Sequence, residues 1–324
     1  MMHAAVVHSF DAAPKFEKFD MPNPVNKHDV LVDVLAAGLH PRVRSQANGS
    51  HYASTGELPL IPGIDGVGRL QDGGLVYFVA PDTALGTFAD KAVIDVRRSV
   101  PLPEGADPVR IAAAMNPAMS AWVALRRRAE WQPGYKVLVH GATGNSGHMA
   151  VQIAKLLGAG QVIGAGRDQQ RLDALPALGA YRVVSLAGDP EAASERLGEA
   201  ACEVDIVIDY LWGKPAELAM TAMLTRRSDR SRALTWIQIG SVAGPTAAVP
   251  SAALRSANFK LLGSGQGSVT PAGYLAEFPA LIDAIASGSL RVNAAAYPLA
   301  RVEEIWAAPA AAGERVVFVP AMHT

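Results

Sequence analysis

At 324 residues, 50% of them apolar, the chain is long enough for two ordinary domains with a core each, so extended disorder is not expected. The 29 Lys and Arg nearly cancel the 30 Asp and Glu, and a net charge of −1 leaves no basic excess for a nucleic-acid backbone. A single cysteine, Cys202, excludes an intrachain disulfide and a multi-cysteine metal lobe, and fits a reducing compartment. Nowhere do ~18 uninterrupted apolar residues occur, and the opening residues lack a signal-like apolar run. These features lead us to expect a cytoplasmic protein with neither a membrane nor a nucleic-acid partner.

Through residues 1–100 the apolar runs are short ("AAVVHSF", "DVLVDVLAAG", "GVGRL", "LVYFVA", "FADKAVI") and lie between Gly, Pro and Asp signals. That pattern predicts an irregular β region with at most a helical turn near 42–47. "PLPEGADP" at 101–108 reads as a joint, and the helical spacing that follows should break or kink at Pro117. From 136 to about 263, strand-like runs ("KVLVHGA", "QVIGAG", "YRVVSL", "VDIVIDYL", "ALTWIQIGS", "KLLGSGQ") alternate with helix-length segments. Continuous Val, Ile and Leu mark strands buried on both faces, hence an α/β fold with a doubly wound parallel sheet. The remaining helix, strand, helix and strand are too short for a domain and should return to complete the first β region. The arginines at 126–128 and in "RRSDRSR" at 226–232 read as helix C-termini and solvated loops. Cys202 reads as a buried or helix-end thiol without chemistry.

The stretch "KVLVHGATGNSGHMAVQIAKLLG" carries the chemistry. Its turn, from Gly141 through Thr143, Gly144, Asn145 and Ser146 to Gly147, has a G-x-x-G-x-x-G spacing between a strand and a helix. Gly144 lets backbone approach a pyrophosphate, and Gly147, Ala150, Val151 and Ala154 give one small helical face to the sheet. The N–H groups of Asn145, Ser146 and Gly147 would turn their positive ends to an anion. His140 and His148, at the borders, read as strand-end and helix residues.

About 20 residues beyond such a turn, NAD enzymes keep an acid for the adenine ribose. Here "VIGAGRDQQR" offers Gly166 and Arg167, with Arg171 a helical turn later. Gly166 leaves room and Arg167 can clamp a 2′-phosphate by paired charge-assisted bonds, which points to NADP(H). Asp168 is read as the cap of the next helix.

With these residues the chain resembles the medium-chain dehydrogenase/reductase superfamily, in its zinc-free quinone oxidoreductase branch. The likeness runs from "AAGLHPRVRSQANGSHY" and "LPLIPGIDGVGRL", through "WQPGYKVLVHGATGNSGHMAVQIAKLLGA" and "DIVIDYLWG", to "GERVVFVP". It implies a Rossmann nucleotide domain at 113–266 and a GroES-like catalytic domain from 1–112 and 267–324, with NADPH held in the cleft between them. Where zinc relatives keep Cys, His and Glu, this chain has Gly38-Leu39-His40 and Ile64-Asp65, short of the three ligands that a catalytic zinc needs. The branch commonly has Asn and Asp where His40 and Val43 stand, and is longer between Gly68 and Gly86. By the same match Ser120, Tyr210, Gly240, Ser241, Gly263 and Ser264 approach the nicotinamide. Relatives often pair through the edges of their nucleotide sheets, so "KLLGSGQ" implies a homodimer.

The reaction expected is hydride transfer to a quinone or an α,β-unsaturated carbonyl, with donors at the oxygen that gains charge. His40, Tyr52 and Asn116 are the candidate donors, and Asp65 could hold His40. Two other readings stay open: an NADPH-binding redox sensor without efficient turnover, and a zinc-type alcohol dehydrogenase with atypical ligands.

Overall fold

The computed structural model describes residues 1–51, 54–81, 83–308 and 313–320. The chain divides into two compact units, Met1–Asn116 with Phe278–Thr324, and Pro117–Glu277. In the first unit β1 (Met2–Val6) pairs with β2 (Lys15–Phe19), and β3 (Asp29–Gly38) leads into the short helix α1 (Pro41–Ala47). Then come β4 (Asp65–Arg69), β5 (Leu75–Val79), β6 (Lys91–Asp95), β7 (Ser99–Pro101) and α2 (Pro108–Val123). The ten-residue β3 is the spine: its start pairs with β6 and its end with β4. Phe78, Phe88, Ile61 and Ile94 fill the core behind it, each fully buried.

Pro117 does not break α2, which was one of the two outcomes expected of it; the helix runs on to Val123 and passes into one π turn, Ala124–Arg128. A proline inside a helix leaves the carbonyl four residues back without its donor. Here that carbonyl, Ala113 O, accepts a bond from Arg315 Nε at 3.3 Å. The orphan is satisfied from elsewhere in the chain, and the helix can continue.

The second unit alternates β8 (Lys136–His140), α3 (Asn145–Leu156), β9 (Gln161–Gly166), α4 (Gln169–Asp173), β10 (Arg182–Ser185), α5 (Pro190–Ala201), β11 (Ile206–Asp209), α6 (Gly213–Arg226), β12 (Leu234–Gln238), α7 (Ser251–Ser256) and β13 (Phe259–Gly263). Its six strands are all parallel, in the order β10-β9-β8-β11-β12-β13, the doubly wound Rossmann arrangement. The order reverses between β8 and β11, so loops at the C-terminal ends of these strands diverge and leave a crevice. Val137, Leu138, Val139, Val207 and Ile208 are completely buried, as strands covered on both faces require.

The arginine clusters are not simply solvated. Arg227, 3% exposed, gathers four carbonyls: Cys202 O at 2.5 Å, Val204 O at 2.9 Å, Ala233 O at 3.1 Å and Arg232 O at 3.3 Å. Arg126 and Arg127 both reach the buried Glu277, each at 2.5 Å, and Arg128 Nε donates to Gly263 O at 2.8 Å. Fixed carbonyls at chain reversals and one buried carboxylate receive these guanidinium groups, although Arg126 and Arg127 also remain exposed. Cys202 caps the end of α5, and burial pushes its thiol pKa up.

The chain then returns through α8 (Pro271–Ala286), β14 (Asn293–Pro298), α9 (Val302–Ala307) and β15 (Glu314–Val319). β15 lies between β14 and β3 and closes the first unit's seven-stranded sheet, as expected for the short tail. Among the described residues no helix is long and apolar enough to cross a membrane.

The pairing of Pro117 with Arg315 can be measured. Arg315→Ala is expected to lower unfolding free energy by about 2 kcal/mol, the range for a lost charged hydrogen bond. In a Pro117→Ala background, which restores the helical N–H, the same change should cost about 1 kcal/mol less. A denaturant double-mutant cycle with no coupling would show that Ala113 O has another source of satisfaction.

Candidate functional site

At the C-terminal end of the parallel sheet one carboxylate ties three strands together. Asp209, fully buried at the end of β11, takes His140 Nδ1 at 3.0 Å from β8 and Trp236 Nε1 at 3.0 Å from β12. It also accepts the amides of Leu211 at 2.9 Å and Trp212 at 3.2 Å. Burial alone would raise its pKa, but the His140 bond and charge and the two amides hold it below the usual carboxylate value. His140 Nε2 is buried with no protein partner among the described residues, and Nδ1 is the ring nitrogen that faces the carboxylate.

The glycine turn leaves β8 at this point. Gly141 has φ +98°, and its N–H and that of Ala142 both donate to Ala165 O, at 2.9 and 2.7 Å. Gly147 must be glycine because a Cβ there would stand 2.3 Å from Gly141 O. Gly144, the residue before α3, is different: a Cβ would meet only Gly141 O at 3.6 Å, so its outer face is open. The first-turn amides of Ser146 and Gly147 have no protein acceptor among the described residues. An open glycine beside unmatched helix amides is the cradle that a pyrophosphate fits.

The second strand ends beside this turn. Gly166 is needed for Thr143, whose Cγ2 and Oγ1 would lie 2.4 and 2.7 Å from an added Cβ; the space that the sequence reading gave to a phosphate holds that side chain. Arg167 is exposed and has no hydrogen-bond or ion-pair partner among the described residues. Asp168 caps α4 by accepting Arg171 N at 3.1 Å, as its position suggested. Arg171 reaches back to Asn145 Oδ1 at 3.0 Å and so joins the turn to the strand end. His148, one turn into α3, has Nε2 buried without a partner, and burial together with the nearby Arg171 charge lowers its pKa to about 4.

Among the other positions picked for the nicotinamide end, Ser120 Oγ and Tyr210 Oη are 2.9 Å apart, and burial pushes the Tyr210 pKa upward. Ser120 also donates to Pro117 O at 2.9 Å. Gly240 lies against Tyr210, where a Cβ would be 2.8 Å from Tyr210 O, and Ser241 beside it is exposed. Gly263 ends β13, and Ser264 is buried with its amide on Gln238 O at 2.9 Å. Each of these residues ends or follows β11, β12 or β13 except Ser120, which α2 supplies.

In the β-rich unit His40 is 2% exposed, with Nε2 on Asp65 Oδ1 at 3.2 Å. Asp65 Oδ2 accepts Tyr77 Oη at 2.8 Å, so both carboxylate oxygens are used. Burial lowers the His40 pKa and Asp65 opposes the shift, while burial raises that of Tyr77. Arg315 stands near Asp65, its own pKa brought down to about 10 by burial. Asn116 is half-buried on α2, and Tyr52 lies outside the described residues. The sequence reading passed over Asp209, Tyr77 and Arg315; a polar residue ending or interrupting an apolar strand run was the only signal available.

The chain matches the zinc-binding dehydrogenase family over residues 147–287. A probable NADPH-dependent quinone reductase of Emericella nidulans is 30% identical over 362 aligned positions, covering 98% of this chain and 100% of that protein. A quinone oxidoreductase of Rattus norvegicus is 31% identical across 50% of this chain and 51% of its own length. The solved quinone oxidoreductase of Thermus thermophilus, studied alone and with NADPH, is 26% identical and superposes with a TM-score of 0.76 over 98% of this chain and 100% of that one. With a full-length relative at this identity, the chain belongs to the medium-chain dehydrogenase/reductase superfamily, in its quinone oxidoreductase-like branch.

Proposed function

We propose that the protein is an NADPH-dependent, zinc-independent oxidoreductase that delivers hydride to a quinone or an α,β-unsaturated carbonyl. The observation that carries this reading is the open turn between β8 and α3, flanked by the exposed Arg167 and by Arg171. When bound, NADPH supplies the hydride, and the chain's own residues hold, orient and complement charge. Thr143, Gly144, Asn145, Ser146 and Gly147 would hold the pyrophosphate, and Arg167 and Arg171 the phosphorylated ribose end, with Gly166 making room for Thr143. Ser120, Tyr210, Gly240, Ser241, Gly263 and Ser264 would border the nicotinamide end.

Hydride arriving at an enone or quinone puts negative charge on the acceptor's oxygen, and a fixed donor there lowers the barrier. Asn116 and Tyr52 are the donors proposed for that oxygen. His40, buried on Asp65, is proposed to anchor the start of α1 rather than to touch the acceptor. A zinc site does not fit this residue set, since Ile64 offers no ligand atom and both Asp65 oxygens are engaged by His40 and Tyr77. Among the described residues β13 pairs only with β12, and we propose that this sheet edge joins two copies in a homodimer. A single cysteine suits a cytoplasmic setting.

Three measurements bear on the reading. Arg167→Ala and Arg171→Ala should each weaken NADPH binding about tenfold while leaving NADH within about twofold, the mark of a lost phosphate contact. Unchanged NADPH preference in both variants would remove the clamp. NADPH oxidation on a panel of quinones and enones should proceed in protein free of stoichiometric zinc; tight NADPH binding without turnover on any acceptor would favour the redox sensor. Sedimentation should give a dimer that Leu261→Lys, in the edge strand, converts to monomer, and a monomeric wild type would rule the edge contact out.

A further inference from the structure

We infer that Tyr210 accepts a hydrogen bond from the carboxamide N–H of the nicotinamide and so selects the amide form of the cofactor. This rests on the reductase reading above and adds to it a side chain that reads the reactive end of NADPH. It starts from the hydrogens of two hydroxyl groups.

Ser120 Oγ lies 2.9 Å from Pro117 O and 2.9 Å from Tyr210 Oη. A serine hydroxyl has one hydrogen, and a carbonyl can only accept. If Ser120 gives its hydrogen to Pro117 O, Tyr210 donates to Ser120 Oγ, and both hydrogens have an acceptor. In the opposite arrangement the Tyr210 hydrogen would have no acceptor among the described residues, in a residue only 8% exposed. An unmet buried hydroxyl is costly, so the bonds run one way, from Tyr210 to Ser120 to Pro117 O. Burial also raises the Tyr210 pKa, and the phenol keeps its proton at neutral pH. With that proton committed to Ser120, the Tyr210 oxygen retains a lone pair and has no hydrogen to give. It is therefore an acceptor and not a proton source for the reduction.

The place of this oxygen in the fold selects the donor it meets. Tyr210 follows β11 directly, and β11 adjoins β8 where the strand order reverses. Its Cβ and the Leu211 side chain press on the glycine turn, 3.2 and 3.1 Å from a Cβ added at Gly141. A dinucleotide lies across such a reversal with one nucleoside on each side. Arg167 and Arg171 follow β9, on the side proposed for the phosphorylated ribose, so the β11 side faces the nicotinamide nucleoside. Ribose hydroxyls both donate and accept, and make no specific use of an acceptor-only oxygen. The carboxamide NH2 only donates, and the same oxygen would repel a carboxylate in its place. Ser120 is half-buried, so the pair is not sealed in the core.

Binding without an acceptor tests the inference apart from turnover. Titration calorimetry would compare NADP+ with its 3-acetylpyridine analogue, in which a methyl group replaces the NH2, and with its nicotinic acid analogue, in which a carboxylate replaces the amide. Wild type should bind NADP+ about fivefold more tightly than the acetyl analogue, and Tyr210→Phe should bring that ratio to about one. Ser120→Ala should act differently, because it frees the phenol hydrogen to turn toward the ligand. There the nicotinic acid analogue should gain about fivefold relative to NADP+. Equal wild-type affinities for NADP+ and the acetyl analogue would overturn the inference without recourse to any variant. A ratio that survives Tyr210→Phe, or no gain for the acid in Ser120→Ala, would overturn it equally. Tight NADP+ binding without discrimination removes only the Tyr210 inference. Discrimination as expected, with no NADPH oxidation by any quinone or enone, keeps the amide contact and removes the reductase reading; failure to bind any of the three dinucleotides removes both.

Discussion

The arrangement around the glycine turn depends on the carboxylate of Asp209. Burying an ion costs several kcal/mol unless its lone pairs are met, and here four donors meet them: an imidazole, an indole and two amides. The imidazole comes from β8 and the indole from β12, so the ends of three adjacent strands are fixed to one atom group. The amides fix the start of the loop after β11, where Trp212 takes φ +54°, a left-handed conformation that a bulky residue rarely adopts. α6 starts directly after it, with Gly213 packed so closely on Ala243 O that a Cβ would be 2.8 Å away. The turn, the β11 loop and the β12 loop therefore share a single anchor. Their rigidity follows from one buried charge rather than from the loops' own sequences.

The sheet was legible in the sequence because its signals are local. Unbroken Val, Ile and Leu runs can be buried on both faces only in a covered parallel sheet, and β8, β11 and β12 are buried in that way. The small face of α3 and the Asp168 cap depend on residues within one or two turns of each other, and both are present. Pairings across tens of residues left no such trace. His140 and Asp209 are 69 positions apart, and strand register alone brings them side by side. Arg227 looked like one more basic loop residue, yet chain reversals elsewhere turn four carbonyls toward it. Gly166 was read as room for a phosphate, but the side chain beside it is Thr143, known only once β8 and β9 are aligned.

Of the proposed donors, His40 shows how a motif match differs from an environment. Its position in the sequence made it a candidate donor; burial gives it a single partner among the described residues, Asp65, and an orphaned Nδ1. Where relatives keep a metal to absorb the charge of such a carboxylate, this chain surrounds Asp65 with a neutral ring, a phenol and a nearby guanidinium. Losing a metal ligand to Ile64 is tolerable only if the remaining polar groups find partners among themselves, since an unmet buried polar atom costs about 1–3 kcal/mol.

Arg315 connects that cluster to the chain's long-range design. It arrives on β15, almost the last strand, inserted between β14 and β3. From there its Nε fills the gap that Pro117 leaves in α2, and its charge lies near the Asp65 that holds His40. One buried cation so reconciles two sequence features that look like faults in isolation, a proline inside a helix and a carboxylate inside a core. Neither would be stable in a chain that stopped after the parallel sheet. The C-terminal return is therefore what allows α2 to run through Pro117 and a histidine to be buried two residues after β3, at the start of α1.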